Sequence, residues 1–502
     1  MTGGSNQQPD AGSIQRLVAA AARLHRQGRI DEAGRAYLSV LAREPENAGA
    51  LRALGWMALE AGRVDESIDY YRRALAARPG EAEPTSELAQ ALVRAGNFDE
   101  ALEHAAEAAR QAPGSAVAHF IHGSILADCG DFRGAATAYR ASISIDPRNT
   151  RAISNLLELE LDEDDAVTAD EARQFGRLPD ESRLEPRARS RLHFGLAAHD
   201  HRCGRWSDAF AHWEQANTLK RKATPQQLRY VPEHERQRFA IQRNFFTPDF
   251  FARRGDWGLE HAQPVFIVGL PRTGSTLVER ILAAHPDVEA HSELMYLRLI
   301  ALEQVPRLTG APYPDALLQL TRAQVRRVAR QYLRQVFGTD RGDVARPVPV
   351  DKMPTNYEHL GVVRLLFPNA RIIHTRREPM STLWSCYRHD LNASFTNSFP
   401  DLVSKYRVQE DYMRLWRERL DARIFDCAYE SLVAAPEQKI RELVDFVGLK
   451  WDERCLTPER TTASVATASR QQVRRPIHSR AVAPWRNYEA CLKPLAALLE
   501  QD

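Results

Sequence analysis

The sequence predicts an α + α/β protein, an all-α solenoid followed by an α/β domain with a parallel sheet. Three observations carry this expectation. A 34-residue period runs through the first third of the chain. At Pro264 the texture changes to VFIVG, a β-branched and aromatic run, then the turn LPRTGS, then the helical period of TLVERILAAHPDV. The same order of strand, turn and helix returns in RIIHTRREPMSTLWSCYRHDL at 371–391. At 502 residues the chain exceeds one ordinary core.

Residues 1–13, MTGGSNQQPDAGS, are polar and read as a disordered N-terminus without the basic and apolar regions of a signal peptide. Gly28, Gly62, Gly96 and Gly130 then recur with the period, as do Pro45, Pro79, Pro113 and Pro147. The small residues Ala33, Ser67, Ala101 and Ala135 keep the same register, and so do Ala21, Gly55, Ala89 and Gly123. Each unit reads as two helices. Small residues let them pack closely, Gly makes the turn between them, and Pro ends the second because it cannot continue a helix. On these markers residues 14–160 resemble an array of four tetratricopeptide repeats. Such a solenoid implies a concave surface for a peptide or protein partner; bracing of the next domain, or self-association into a homodimer, is the other use.

Residues 161–187 are charged and read as a loose connector, and 188–260 as a divergent helical repeat with linker helices. In this stretch Gly204 and Ala209 keep the five-residue offset of Gly28 and Ala33. His193, His199, His201 and His212 lie here without metal-ligand spacing. The six cysteines are scattered, with no CxxC, which suits reduced thiols and no structural zinc. A formal charge of +2 gives no reason to expect nucleic acid or a membrane surface as partner. No apolar run is long enough to cross a bilayer, and a cytoplasmic protein is expected.

The chemistry is carried by the last section, 261–498. Gly269, four residues, Gly274, Ser275 and Thr276 form a phosphate-binding loop with Ser275 where such loops carry Lys. The context of strand, loop and helix is right for an anion cradle of backbone N–H groups. An NTP-hydrolysing or kinase reading would need that Lys and a metal held by a strand-end Asp. Asp351 could imitate the latter, but Lys352 follows it directly. A non-catalytic repeat scaffold is a third reading.

Taken together, GLPRTGSTLVERIL, the Arg-x-Pro of REP with Ser eight residues after its Arg, VDKMPTN, DCAYESLVAAPE and TASRQQVRRPIHSRAVAPWRNYE resemble the PAPS-dependent sulfotransferases (PAPS is 3′-phosphoadenosine 5′-phosphosulfate). The resemblance is to the tyrosylprotein branch and its bacterial repeat-bearing relatives. It implies a P-loop-like α/β sulfotransferase domain with PAPS as sulfate donor and no metal. By match, Arg272, Thr273, Gly274, Ser275 and Thr276 would hold the 5′-phosphosulfate. Arg377 and Ser385 would hold the 3′-phosphate, with His389 as a further basic neighbour and Arg376 beside them. Tyr429 would touch the nucleotide. Arg475 would reach a phosphate, with Arg474 as alternative, and Trp485 would anchor the C-terminal segment by packing. Glu293 maps onto the catalytic base, with His285 and His291 as alternatives. Arg272 and Lys352 would stabilise charge on the transferring group and leaving phosphate. The acceptor implied is a tyrosine of a peptide or protein, docked by the repeats; a small phenol or a carbohydrate hydroxyl is the second reading.

Overall fold

The computed structural model describes residues 11–180, 183–291, 293–337, 347–420, 423–460, 471–477, 482 and 485–501. It divides into two compact units, Met1–Ala166 and Val167–Asp502.

In the first unit four helix pairs follow the sequence period: Ala11–Arg26 with Ile30–Leu41, Ala48–Glu60 with Val64–Ala77, Ala82–Arg94 with Phe98–Gln111, and Ala116–Cys129 with Phe132–Ile145. A further helix, Thr150–Glu158, closes the series. Gly28, Gly62, Gly96 and Gly130 make the turns within pairs with φ of 73°, 75°, 81° and 96°, a left-handed conformation that favours Gly. Ala33, Ser67, Ala101 and Ala135 are completely buried. The glycines inside helices answer to their neighbours. A Cβ at Gly55 would stand 2.9 Å from the Tyr71 ring, and one at Gly123 would stand 2.9 Å from the Tyr139 ring.

Two expectations change here. The first helix begins at Ala11, inside the segment read as disordered; residues 1–10 lie outside the described residues. The connector at 161–187 contains the helix Ala169–Arg177, started by a capping box in which Thr168 accepts from the Glu171 N–H and Glu171 accepts from the Thr168 N–H. Its charge hid that signature.

The second unit opens on the helices Pro186–Arg202 and Trp206–Ala223, which turn at Gly204 with φ 71°. The sequence reads this pair as a repeat lying between the domains. Instead it packs into the α/β unit, because its large apolar side chains find their partners there. The Trp213 and Trp384 rings meet edge to face at 5.1 Å. Asn217 donates to the Tyr387 carbonyl at 2.9 Å, and Lys220 pairs with Asp390 at 3.2 Å.

Five strands follow: β1 (Val265–Gly269), β2 (Val288–His291), β3 (Val348–Lys352), β4 (Arg371–Arg376) and β5 (Ile424–Ala428). They form one parallel sheet in the order β2-β3-β1-β4-β5. Strand β1 is central and buried on both faces. Val265 and Ile267 enter a core with Val278, Ile281, Val350 and Leu443, while Phe266 and Val268 enter another with Tyr332, Phe367 and Trp416. The six cysteines are free thiols. Among the described residues no helix is long and apolar enough to cross a membrane.

Candidate active site

Parallel register sets the site. Ile267 of β1 lies beside Lys352 of β3, and Gly269 beside Thr375 of β4, so three strands deliver their C-terminal ends to one edge of the sheet. The loop leaving β1 is built for close approach. Gly269 has φ 150°, and a Cβ there would lie 2.5 Å from the Thr375 carbonyl oxygen. Gly274 has φ 97° and starts the helix Ser275–Ala283; a Cβ there would meet the Tyr429 ring at 2.8 Å. With glycine at the cap, the cap residue brings no side chain to this helix start, the end of a helix that suits an anion. Arg272 is the one non-glycine with positive φ among the described residues, at 70°. Such a conformation costs roughly 1–3 kcal/mol and is tolerated where the surroundings enforce it. Here the side chain is held at two points. Its Nε donates to Ser385 Oγ at 3.0 Å and its Nη2 to Gln472 Oε1 at 3.0 Å.

The loop and the second motif therefore meet directly. Arg377 Nη1 donates to the Arg272 carbonyl at 3.2 Å, and its guanidinium lies over the Tyr429 ring at 5.0 Å from the centroid. Ser385 is buried on the helix Pro379–Tyr387. Glu378 fixes that helix start by accepting from the Met380 and Ser381 N–H groups at 3.0 and 2.6 Å, while proline occupies its first position. Burial, then Arg388, with Arg377 adding, pushes the Arg272 guanidinium down to about 10. Three guanidinium groups so concentrated mark a place for anionic charge.

A second cluster stands at the end of β3. Lys352 is completely buried, with Nζ 2.9 Å from Glu293 Oε1 and 3.4 Å from Glu279 Oε2. Burial alone would lower its pKa, but the two carboxylates outweigh this and hold it above the ordinary lysine range. Burial raises Glu279 against the pull of Lys352. Glu293 keeps 47% of its side chain exposed, so it alone of the three can face a solvent-borne partner.

Several sequence-predicted residues have other duties. Thr273 turns its hydroxyl to the Leu270 carbonyl at 2.7 Å and to Thr375 Oγ1 at 2.8 Å, leaving only its backbone for an anion. Ser275 and Thr276 begin the helix and are nearly buried. Arg475 is exposed, and from the same segment Gln472 accepts from Arg272 of the loop. His389 donates from Nδ1 to the Ser385 carbonyl at 2.7 Å, and burial beside Arg272 and Arg388 keeps it neutral. His285 uses both ring nitrogens in a turn, accepting from the Asp287 N–H at 3.0 Å and donating to the Lys450 carbonyl at 2.8 Å. The side chain of His291 lies outside the described residues. Asp351 is not a partner of the Lys352 ammonium. It accepts from Tyr332 at 2.5 Å and Asn356 at 3.3 Å, because successive strand residues face opposite sides of the sheet. Trp485 does pack against the cluster of Trp384 and Tyr488. His193 and His212 meet, with their Nδ1 atoms 2.9 Å apart. Among the described residues no group of three or more His, Cys, Asp or Glu side chains could hold a metal ion.

Two residues escaped the sequence reading: Glu279 and Gln472. Glu279 lies five positions after Gly274, one helical turn into a helix whose apolar residues face the core. Its neighbours on either side, Val278 and Arg280, are as buried as it is.

Residues 264–453 match the profile described as "Sulfotransferase family". Residues 18–82, 58–121 and 116–149 match profiles described as "Tetratricopeptide repeat". The chain is similar to an uncharacterised protein of Aquifex aeolicus, 34% identical over 277 residues, covering 53% of this chain and 36% of that protein. It is also similar to protein-tyrosine sulfotransferase 2 of Gallus gallus, 26% identical over 242 residues, covering 44% of this chain and 62% of that one. A similar solved structure is the sulfotransferase domain from the Synechococcus PCC 7002 olefin synthase, with TM-score 0.34, 23% identity, and coverage of 45% of this chain and 88% of that chain. The chain spans less than two thirds of the curated relatives named here. With its five-stranded parallel sheet, the chain carries a sulfotransferase-family domain over residues 264–453, preceded by tetratricopeptide repeats.

Proposed function

We propose that the α/β unit transfers the sulfuryl group of PAPS to an acceptor hydroxyl, and that the acceptor is a tyrosine of a peptide or protein. The observation that carries this reading is the pairing of two clusters at one sheet edge. Arg272, Ser385 and Arg377 join the loop to the second motif, and Lys352 lies buried between carboxylates at the end of β3. The first cluster suits the two phosphate-bearing ends of the donor. The second supplies the amine that the loop lacks, together with a carboxylate able to accept a proton.

In the reaction the acceptor oxygen attacks sulfur in line, its proton passes to Glu293, and the sulfur–oxygen bond to the 5′-phosphate breaks. Arg272, Lys352 and the loop N–H groups meet the charge that develops on the sulfuryl oxygens and departing phosphate. Thr273, Gly274, Ser275 and Thr276 serve through the loop backbone, and Tyr429 packs beneath the loop. NTP hydrolysis is less well supported, since Asp351, the strand-end carboxylate it would use for a metal, is engaged by Tyr332 and Asn356.

Thr355, three residues beyond Lys352, lines a cavity of about 330 Å³ with Arg298, Tyr313 and His359, a volume in the range of small-ligand sites. The repeats would dock the rest of a protein acceptor. The test is transfer of labelled sulfate from PAPS to tyrosine peptides, to small phenols and to sugars. Labelled tyrosine peptide is expected. Label on a phenol or sugar alone would overturn the peptide assignment, and label on none would overturn sulfuryl transfer.

A further inference from the structure

Lys352 has two carboxylate partners of unlike character. Glu279 is 11% exposed and stands on the helix that starts at the anion loop. Glu293 is 47% exposed and lies in irregular chain two residues beyond β2. The shorter contact, 2.9 Å, goes to the exposed residue, and the longer, 3.4 Å, to the buried one. A completely buried ammonium cannot give up its only counter-ion without a large desolvation cost. With two, it can leave one and keep the other.

We propose that Glu279 is a positioning residue that retains Lys352 while the incoming donor draws the ammonium away from Glu293, so that Glu293 becomes a free base only once the donor is bound. This inference rests on the sulfuryl-transfer reading. Before donor binding, Glu293 accepts from Lys352 through Oε1. When the bridging and phosphate oxygens of the donor arrive, the ammonium pivots towards them about its contact with Glu279. Glu293 then takes the acceptor's proton as the new sulfur–oxygen bond forms and the bond to phosphate breaks. The electron pair of that broken bond stays on the phosphate, facing Lys352. The other charged groups around Glu279 do not replace it. Arg280 points from the same helix to the Pro458 carbonyl, with Glu459 and Arg474 as its charged neighbours. Asp351 points to Tyr332 and Asn356.

Full-length Glu279→Gln tests this through the pH dependence of labelled sulfate transfer, a readout that a merely structural role would leave in place. Loss of the Glu279 charge leaves Glu293 as the sole counter-ion. The expected result is a fall in kcat of about tenfold or more, a KM for PAPS within about threefold of the parent, and an acid limb moved to lower pH. Should Glu279→Gln not fold, Glu279→Asp, one methylene shorter, is expected to shift the same limb with a kcat loss of about threefold. A folded variant with the parent's kcat and acid limb overturns the proposal alone. A parent protein that transfers no sulfate overturns the underlying reading as well, so the two failures are distinguishable.

Discussion

The two units bury different things. Among the described residues of the repeat unit, the buried polar side chains are hydroxyls only: Ser67, Thr85, Ser86, Ser142, Thr150 and Ser154. Its charges sit outside as ion pairs such as Arg29–Glu32 and Arg72–Glu100. The α/β unit buries Glu279, Arg280, Asp351, Lys352 and Lys405. Buried charge is expensive and contributes little net stability even when paired. A unit that only presents a surface can do without it; a unit that must stabilise developing charge in a dry place cannot.

The sharpest way to break the comparison is to exchange the outcomes of one substitution in each unit. Lys352→Ala is expected to lower sulfate transfer by roughly 10²–10³-fold or more. It should also destabilise the α/β unit by roughly 3–5 kcal/mol, because Glu279 would be left buried without its cation. Gly123→Val, which drives a side chain into the Tyr139 ring, is expected to cost the repeat unit roughly 1–3 kcal/mol while transfer to a small acceptor stays unchanged. Thermal unfolding with parallel assays checks both. Activity lost in the Gly123 variant at a temperature where it is folded would erase the division of labour.

Asp351 offers a smaller and subtler test. Burial raises its pKa to about 7, so the folded state holds its proton more tightly than the unfolded chain does. Its contribution to stability is therefore full below the ordinary carboxylate range and is lost as pH rises towards 7. Asp351→Asn should gain on the parent over that window, by roughly 1–3 kcal/mol. Denaturant unfolding at pH 4.5 and 7.5, values chosen as roughly the two ends of that window, would show it. A difference independent of pH would contradict the burial argument.

What was legible in the sequence follows from how local each signal is. The repeats announced themselves because Gly, Pro and small residues recur at a fixed period, each marker reporting its own turn or contact. The geometry of the loop after β1 was legible for the same reason, with Gly269 and Gly274 required by the backbone within six residues. Non-local relations were harder. The helices Pro186–Arg202 and Trp206–Ala223 carry repeat-like markers, but their partners Trp384 and Tyr488 lie far along the chain. Glu279 looks like a surface residue of an amphipathic helix until β3 brings Lys352 beside it. Gln472 belongs to no motif. The two-residue period of a strand already places Asp351 and Lys352 on opposite faces.

The proposed function makes the lysine-free loop, completed by Lys352 from the adjacent strand, a phosphosulfate site. Thermal unfolding of the intact chain with adenosine 3′,5′-bisphosphate or with ATP and Mg²⁺ tests it most directly. Stabilisation by the bisphosphate of about 2.7 kcal/mol is expected when the ligand is at roughly a hundredfold its Kd. Stabilisation by ATP and Mg²⁺ alone would contradict it.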